Sequence, residues 1–156
     1  MKKVLLVLVC VLIVSLSFAD VPATTPIKFS LFDKIAIPEK NDVVSGLEVG
    51  ISSYTHKLKG LSWNFIFSKT DEGLGVQKSF VTLTKSFVGL QAGVINLSSN
   101  EICGLQCGFF NKAKSVSGFQ LGLVNMTEDL YGIQVGLINF IENGYFPTMI
   151  IANAKF

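Results

Sequence analysis

The chain has 156 residues, with 13 basic residues, 11 acids and one histidine, and 49% of it is hydrophobic. That length allows one domain. Its basic residues are all lysines scattered along the chain, so no basic patch points to nucleic acid.

The first segment reads as an export signal. Lys2 and Lys3 precede an unbroken apolar run from Val4 to Val14, and Ser17 and Ala19 stand where a signal peptidase reads small residues. We therefore expect a signal peptide over residues 1–19 and a single β-repeat domain over 20–156. The run is short of the ~20 residues that a spanning helix needs. Lipidation at Cys10 is disfavoured by Val9, which stands where a small residue is required. Cleavage would leave eleven lysines against eleven acids, a net charge near zero.

Ile27–Phe32 reads as a first strand and Pro38–Asp42 as a loop. A repeat follows. Its clearest copies are Gly89-Leu-Gln91-Ala-Gly93-Val-Ile-Asn96, Gly104-Leu-Gln106-Cys-Gly108-Phe-Phe-Asn111, Gly118-Phe-Gln120-Leu-Gly122-Leu-Val-Asn125 and Gly132-Ile-Gln134-Val-Gly136-Leu-Ile-Asn139. Looser copies start at Gly46, Gly60 and Gly75, which makes the successive spacings 14, 15, 14, 15, 14 and 14 residues.

Within a copy the period is two, which predicts a strand. One face carries Leu90, Ala92 and Val94, then Leu105, Cys107 and Phe109, and so on through Leu121 and Val135. The other carries glycine, glutamine and glycine, with Glu48 and Ser62 replacing glutamine in the first two copies. Polar stretches such as Ser98-Ser99-Asn100 and Thr127-Glu128-Asp129 read as turns. Asn143-Gly144 is a turn signal before a last alternating segment, Met149–Phe156, with Ile150, Ala152, Ala154 and Phe156 on one side and Asn153 and Lys155 on the other.

Residues able to carry chemistry are few. Cys103 and Cys107 would point the same way along a strand, ~13 Å apart, beyond disulfide reach. They read as small apolar residues of one face. His56 reads as an exposed residue of a connecting segment, and Asp71-Glu72 and Glu128-Asp129 as solvated turn acids. Gly73-Leu74-Gly75 lacks the third glycine and the helix of a dinucleotide loop. Asn96-Leu97-Ser98 and Asn125-Met126-Thr127 match a glycosylation pattern. Trp63, Tyr54, Tyr131 and Tyr145 fit either interface aromatics or ordinary core and surface positions. No catalytic, cofactor-binding or metal-binding residues are expected; the residues that define the chain are the repeat's own.

Two all-β architectures fit. A small antiparallel outer-membrane β-barrel would use strands of ~9–11 residues. It would turn leucine, valine and phenylalanine to lipid and glutamine to the lumen, and closure would satisfy the backbone. The terminal Phe156 also resembles the end of such barrels. Lys78 argues against it, because a mid-strand lysine facing lipid costs ~2–4 kcal/mol. The alternative is a β-solenoid with its leucine faces inward and Asn96, Asn111, Asn125 and Asn139 in a ladder. One long alternating strand per copy favours the barrel.

The Gly-Leu-Gln-x-Gly-Leu-x-Asn unit resembles the repeat of bacterial surface-repeat proteins first noticed in leptospiral spirochaetes. Pro26-Ile-Lys-Phe-Ser-Leu-Phe32, Pro38-Glu39, Val44-Ser-Gly-Leu47 and Tyr145-Phe-Pro147 are similar to that family's lead-in and end. Asn64 and Ser79 depart from it, replacing the second glycine of their copies. The resemblance implies a surface location and brings no established activity. The expectation is an exported, outer-membrane or cell-surface structural protein without catalytic activity or cofactor, with membrane lipid as its partner. The alternative is a secreted or surface-tethered solenoid that binds a host or envelope partner.

Overall fold

Every repeat begins with a glycine whose φ is positive, from 126° at Gly89 to 147° at Gly46. These glycines stack on one another. A Cβ on Gly118 would stand 2.1 Å from the carbonyl oxygen of Gly104, and one on Gly132 would stand 1.9 Å from that of Gly118. Both the backbone conformation and the spacing therefore demand glycine. What they build is a column of parallel coils rather than a barrel.

The computed structural model describes residues 25–32, 35–37 and 43–156. The expected signal peptide and the Pro38–Asp42 loop lie outside the described residues. Among the described residues nine strands form one continuous ladder: β1 (Thr25–Phe32), β2 (Ile35–Ile37), β3 (Val43–Lys78), β4 (Val81–Ala92), β5 (Ile95–Ser98), β6 (Glu101–Cys107), β7 (Phe110–Leu121), β8 (Val124–Ile141) and β9 (Thr148–Lys155). β3 runs unbroken through the repeats at Gly46, Gly60 and Gly75.

Consecutive coils pair in parallel, one repeat apart. Gly75 faces Gly89 and Gln77 faces Gln91, Gly89 faces Gly104, and Gly104 faces Gly118. The barrel expectation fails on this point, since an up-and-down barrel requires antiparallel neighbours and the repeats pair in parallel. Among the described residues antiparallel pairing occurs only at the two ends, where β2 pairs β1 and β9 pairs β8. Those end strands cap a solenoid whose first and last rungs would otherwise be open edges.

Each coil has two straight segments and two corners, visible in β4 and β5, which bend at Gly93-Val94, and in β5 and β6, which bend at Ser99-Asn100. Alternation changes phase at a corner: Gln91 points in, and the next inward residue of the second segment is Asn96. A coil of 14 residues changes phase twice. The two coils of 15 each hold one extra residue at a corner, at Phe65-Ile66 in one and Ser99-Asn100 in the other.

The interior is mostly polar. Gln77, Gln91, Gln106, Gln120 and Gln134 are fully buried, as are Asn96, Asn111, Asn125 and Asn139. In the glutamine ladder each Nε2 donates back to the preceding coil: Gln91 to Gln77 Oε1 at 3.1 Å, Gln106 to Gln91 at 3.1 Å, Gln120 to Gln106 at 2.8 Å and Gln134 to Gln120 at 2.6 Å. The asparagine ladder donates the other way, from Asn96 to Asn111, Asn111 to Asn125 and Asn125 to Asn139, each at 2.8 Å. Each Asn96, Asn111 and Asn125 amide also donates to a backbone carbonyl, of Cys107, Leu121 and Val135. Stacked amides on a ladder repeat satisfy donor and acceptor together, which makes their burial tolerable.

One apolar column accompanies them: Val44, Leu58, Phe87, Ile102, Val116 and Leu130 are all buried. Gly73 takes the place of a side chain in that column. A Cβ there would come within 2.2 Å of the Phe87 ring, so the missing side chain makes room for Phe87. Between the two sheets, Thr70, Thr84, Ser98, Ala113 and Thr127 complete the filling with small residues. A coil of 14–15 residues is too narrow for large side chains from both sheets.

The leucine face of each repeat consequently points outward, reversing the inward leucines expected of a solenoid. The asparagine ladder is present as expected. The Asn96 and Asn125 sequons have their asparagines buried in that ladder.

Candidate functional site

Inverting the usual arrangement leaves a large apolar surface. Trp63, Phe65, Phe80, Phe109, Phe119, Leu123, Val135, Leu137 and Ile138 are all exposed, Phe65 at 76% and Leu137 at 61%. Such an extent is unusual for a soluble monomer and marks a contact surface. The chain's hydrogen bonds run along the axis, between coils, so the lateral faces meet their surroundings with side chains.

The two corners differ in chemistry. The glycine corner is apolar, its coils presenting Phe65, Phe80, Val94, Phe109 and Leu123 in succession. These rungs are joined by backbone bonds from Phe80 N to Phe65 O, Val94 N to Phe80 O and Leu123 N to Phe109 O. The opposite corner is charged. Lys57 pairs with Glu72 at 3.0 Å, Lys85 with Asp71 at 3.2 Å, and Lys155 with Asp129 at 3.4 Å. The solenoid is thus amphipathic across its width.

Along the glycine corner runs a groove of about 840 Å³. Ser79, Gly93, Gly108 and Gly122 form its floor. Trp63, Lys78, Ala92, Cys107 and Leu121 make one wall, and Phe65, Phe80, Val94, Phe109 and Leu123 the other. Its floor is glycine for a packing reason. A Cβ on Gly108 would lie 2.2 Å from Gly93 O and 2.6 Å from Asn96 Nδ2, so the amide ladder passes directly beneath. Among the described residues Lys78 is the one charged residue that lines the groove. It projects outward, and its Nζ sits 5.2 Å from the centroid of the Trp63 ring. The charge that weighed against lipid contact therefore has a cation–π partner.

The first coils hold a buried ion pair. Glu48 occupies the glutamine position and is fully buried. Ser62 Oγ donates to its Oε1 at 2.8 Å and Asn64 Nδ2 at 2.9 Å, while Ser53 and Thr55 hydroxyls donate to its two oxygens. Lys28 Nζ lies 3.8 Å from Oε2 and donates to Tyr54 O at 2.6 Å and Thr55 Oγ1 at 2.9 Å. Burial alone would raise the Glu48 pKa, but the donated hydrogen bonds outweigh it and hold the carboxyl below its ordinary value. Asn64, which departs from the repeat, is accounted for here: its amide serves Glu48.

At the charged corner, Asp71 is buried rather than solvated as its turn-like context suggested. His56 Nδ1 lies 2.8 Å from Oδ2, Tyr54 Oη donates to the same oxygen at 3.2 Å, and Lys85 holds Oδ1. Burial works to raise the Asp71 pKa, and the His56 and Lys85 contacts prevail and lower it. His56 is half exposed, as read, but carries a carboxylate partner that sequence spacing did not reveal. The cluster ties neighbouring coils together. Cys103 and Cys107 are free thiols on the outer face. Among the described residues no group of three or more His, Cys, Asp or Glu is placed to hold a metal, and no helix is long and apolar enough to cross a membrane.

The repeat-defining residues thus divide by task. The first glycines and the glutamines and asparagines build the interior, the second glycines Gly93, Gly108 and Gly122 floor the groove, and the apolar residues between them form the surface. No family model matches the chain, and neither a curated protein nor a solved structure does so.

Proposed function

We propose that the chain is an exported, non-catalytic structural protein of the cell surface that rests on lipid through the apolar side of its solenoid. The observation that carries this reading is the outward placement of the apolar repeat positions along one corner and its flanking faces, with the surface ion pairs Lys57–Glu72, Lys85–Asp71 and Lys155–Asp129 at the opposite corner. That arrangement suits a body lying at an interface, its glycine corner in hydrocarbon and its charged corner in water. Lateral faces without open strand edges meet the demand that hydrocarbon makes on a backbone. The N-terminal export signal and the resemblance to bacterial surface-repeat proteins support a place on the envelope, the outer membrane being the natural surface.

Flotation of the mature chain with phospholipid vesicles tests the reading. The protein should rise with the vesicles, and Phe80→Asp combined with Phe109→Asp should leave it at the bottom of the gradient while the fold persists. A wild-type chain that stays folded, monomeric and unbound would refute lipid attachment. It would shift weight to the second reading, in which the same repetitive face docks a host or envelope protein; the continuous groove at the glycine corner is the observation that favours it.

A further inference from the structure

The groove is more specific than the surface around it. Five successive coils contribute to it, from Trp63 and Phe65 at one end to Leu121 and Leu123 at the other. We infer that this groove seats one long-chain acyl anion, its chain laid along the solenoid axis and its acidic head at Lys78. The inference rests on the lipid-facing reading of the same surface and names the ligand that the surface would select.

Three observations bear on the occupant. Length is the first: from the coil of Lys78 to that of Leu121 there are three steps of ~4.8 Å, or ~14 Å. One leaflet of a bilayer's hydrocarbon core is ~15 Å deep, the span of one extended acyl chain. Shape is the second. Over three successive coils the floor is glycine, at Gly93, Gly108 and Gly122, and the groove's volume of about 840 Å³ lies in the range of small-molecule sites. An apolar channel with a glycine floor favours a flexible chain over a folded aromatic ligand or a peptide with bulky side groups.

Charge is the third observation. Lys78 is the groove's single ion, and among the described residues no carboxylate is paired with it; its contact is the Trp63 ring. Placed at the second of five coils, it leaves the longer stretch of channel for the chain. A carboxylate or phosphate at Lys78 would supply the missing counter-charge beside the Trp63 ring.

Titration of the detergent-free mature chain with a fluorescent long-chain carboxylate, kept below its micelle-forming concentration, tests this directly. Saturable binding at one per chain is expected. Lys78→Gln should weaken it about fivefold, the worth of one partly exposed ion pair, and the methyl ester should bind wild type no better than the acid binds Lys78→Gln. Ala92→Trp should block the channel, whereas Leu97→Trp, on the other sheet, should leave binding unchanged. All three positions are on the outer surface, and circular dichroism verifies the fold. Absence of saturable binding overturns the inference, as does equal affinity of Lys78→Gln and wild type. A chain that sediments as a dimer which the carboxylate does not compete with also overturns it, because a second copy would then fill the groove. Vesicle flotation is read separately: carboxylate binding without flotation keeps the groove and removes surface attachment, and the reverse removes only the groove.

Discussion

Glu48 stands in the first coils where later coils carry glutamine, and Lys28, its register partner on β1, places Nζ 3.8 Å from Oε2 in the interior. An ion pair therefore begins the column that amides continue. Removing one ion should hurt more than removing both. Lys28→Met leaves a buried carboxylate without its cation and should cost about 3–5 kcal/mol. Lys28→Gln with Glu48→Gln extends the amide ladder and should recover most of that loss. Urea unfolding of the three proteins gives the comparison.

The same carboxyl makes stability depend on pH. Its folded pKa is held below the ordinary 4.5, so the unfolded chain takes up its proton first on acidification. The stabilisation it brings is complete above that ordinary value and is lost as pH falls through the depressed folded value. Asp71 acts in the same direction from its own ordinary 3.8. Unfolding midpoints should be flat above about pH 6 with respect to these two groups and fall in acid. Glu48→Gln should shallow that fall, and Asp71→Asn should shallow it further.

Gly118→Ala tests the stack of positive-φ glycines. Its φ is 136° and the added Cβ would meet Gly104 O at 2.1 Å. Strain at such a backbone position costs about 1–3 kcal/mol before the clash is counted, so a loss of at least about 2 kcal/mol is expected in chemical denaturation. A loss below 0.5 kcal/mol, the scale of an ordinary surface change, would contradict the stacking.

Gln106→Leu tests the ladder. It leaves Gln91 Oε1 and the Gln120 amide without their partners, at about 1–3 kcal/mol each. Leu105→Gln, one residue earlier on the outer face, should change stability by only about 0.5 kcal/mol. Hydrophobicity alone predicts the reverse order, so the pair of unfolding curves discriminates.

Much of this was legible in the residues and three parts were not. The spacing of 14 and 15 residues, the strand period and the asparagine ladder of the solenoid alternative follow from the repeat, and β9 follows from the alternation of Met149–Phe156 after the Asn143-Gly144 turn. The sidedness does not follow from the rule that apolar residues go inside. The coil is too narrow for two sheets of large side chains, so Gln91 and Asn96 fill it and Leu90 and Phe109 are left out. The corners at Gly93-Val94 were hidden because apolar residues continue through them, making two short segments look like one long strand. That appearance favoured a barrel. Asp71 looked like a solvated turn acid because its partners, His56 and Lys85, lie one coil away on either side, at a distance that only the solenoid's pairing brings together.

Leu121→Asp separates an outward surface from a core. Leu121 lines the groove and lies on the outer face, so the variant should fold, with stability within about 1 kcal/mol of wild type. Its vesicle binding should be weakened. Collapse of the fold on this substitution would place Leu121 inside.

Trp63, the chain's one tryptophan, gives the most direct reading of the central claim that the apolar face points outward and meets lipid. It is 56% exposed on the groove wall beside Lys78. In buffer its emission should be red-shifted and quenched by iodide. On addition of phospholipid vesicles it should move to the blue, lose iodide quenching and become quenched by lipids brominated along the acyl chain. Emission already blue and iodide-resistant in buffer would put the apolar face inside, and a spectrum unchanged by vesicles would show that this face does not enter lipid.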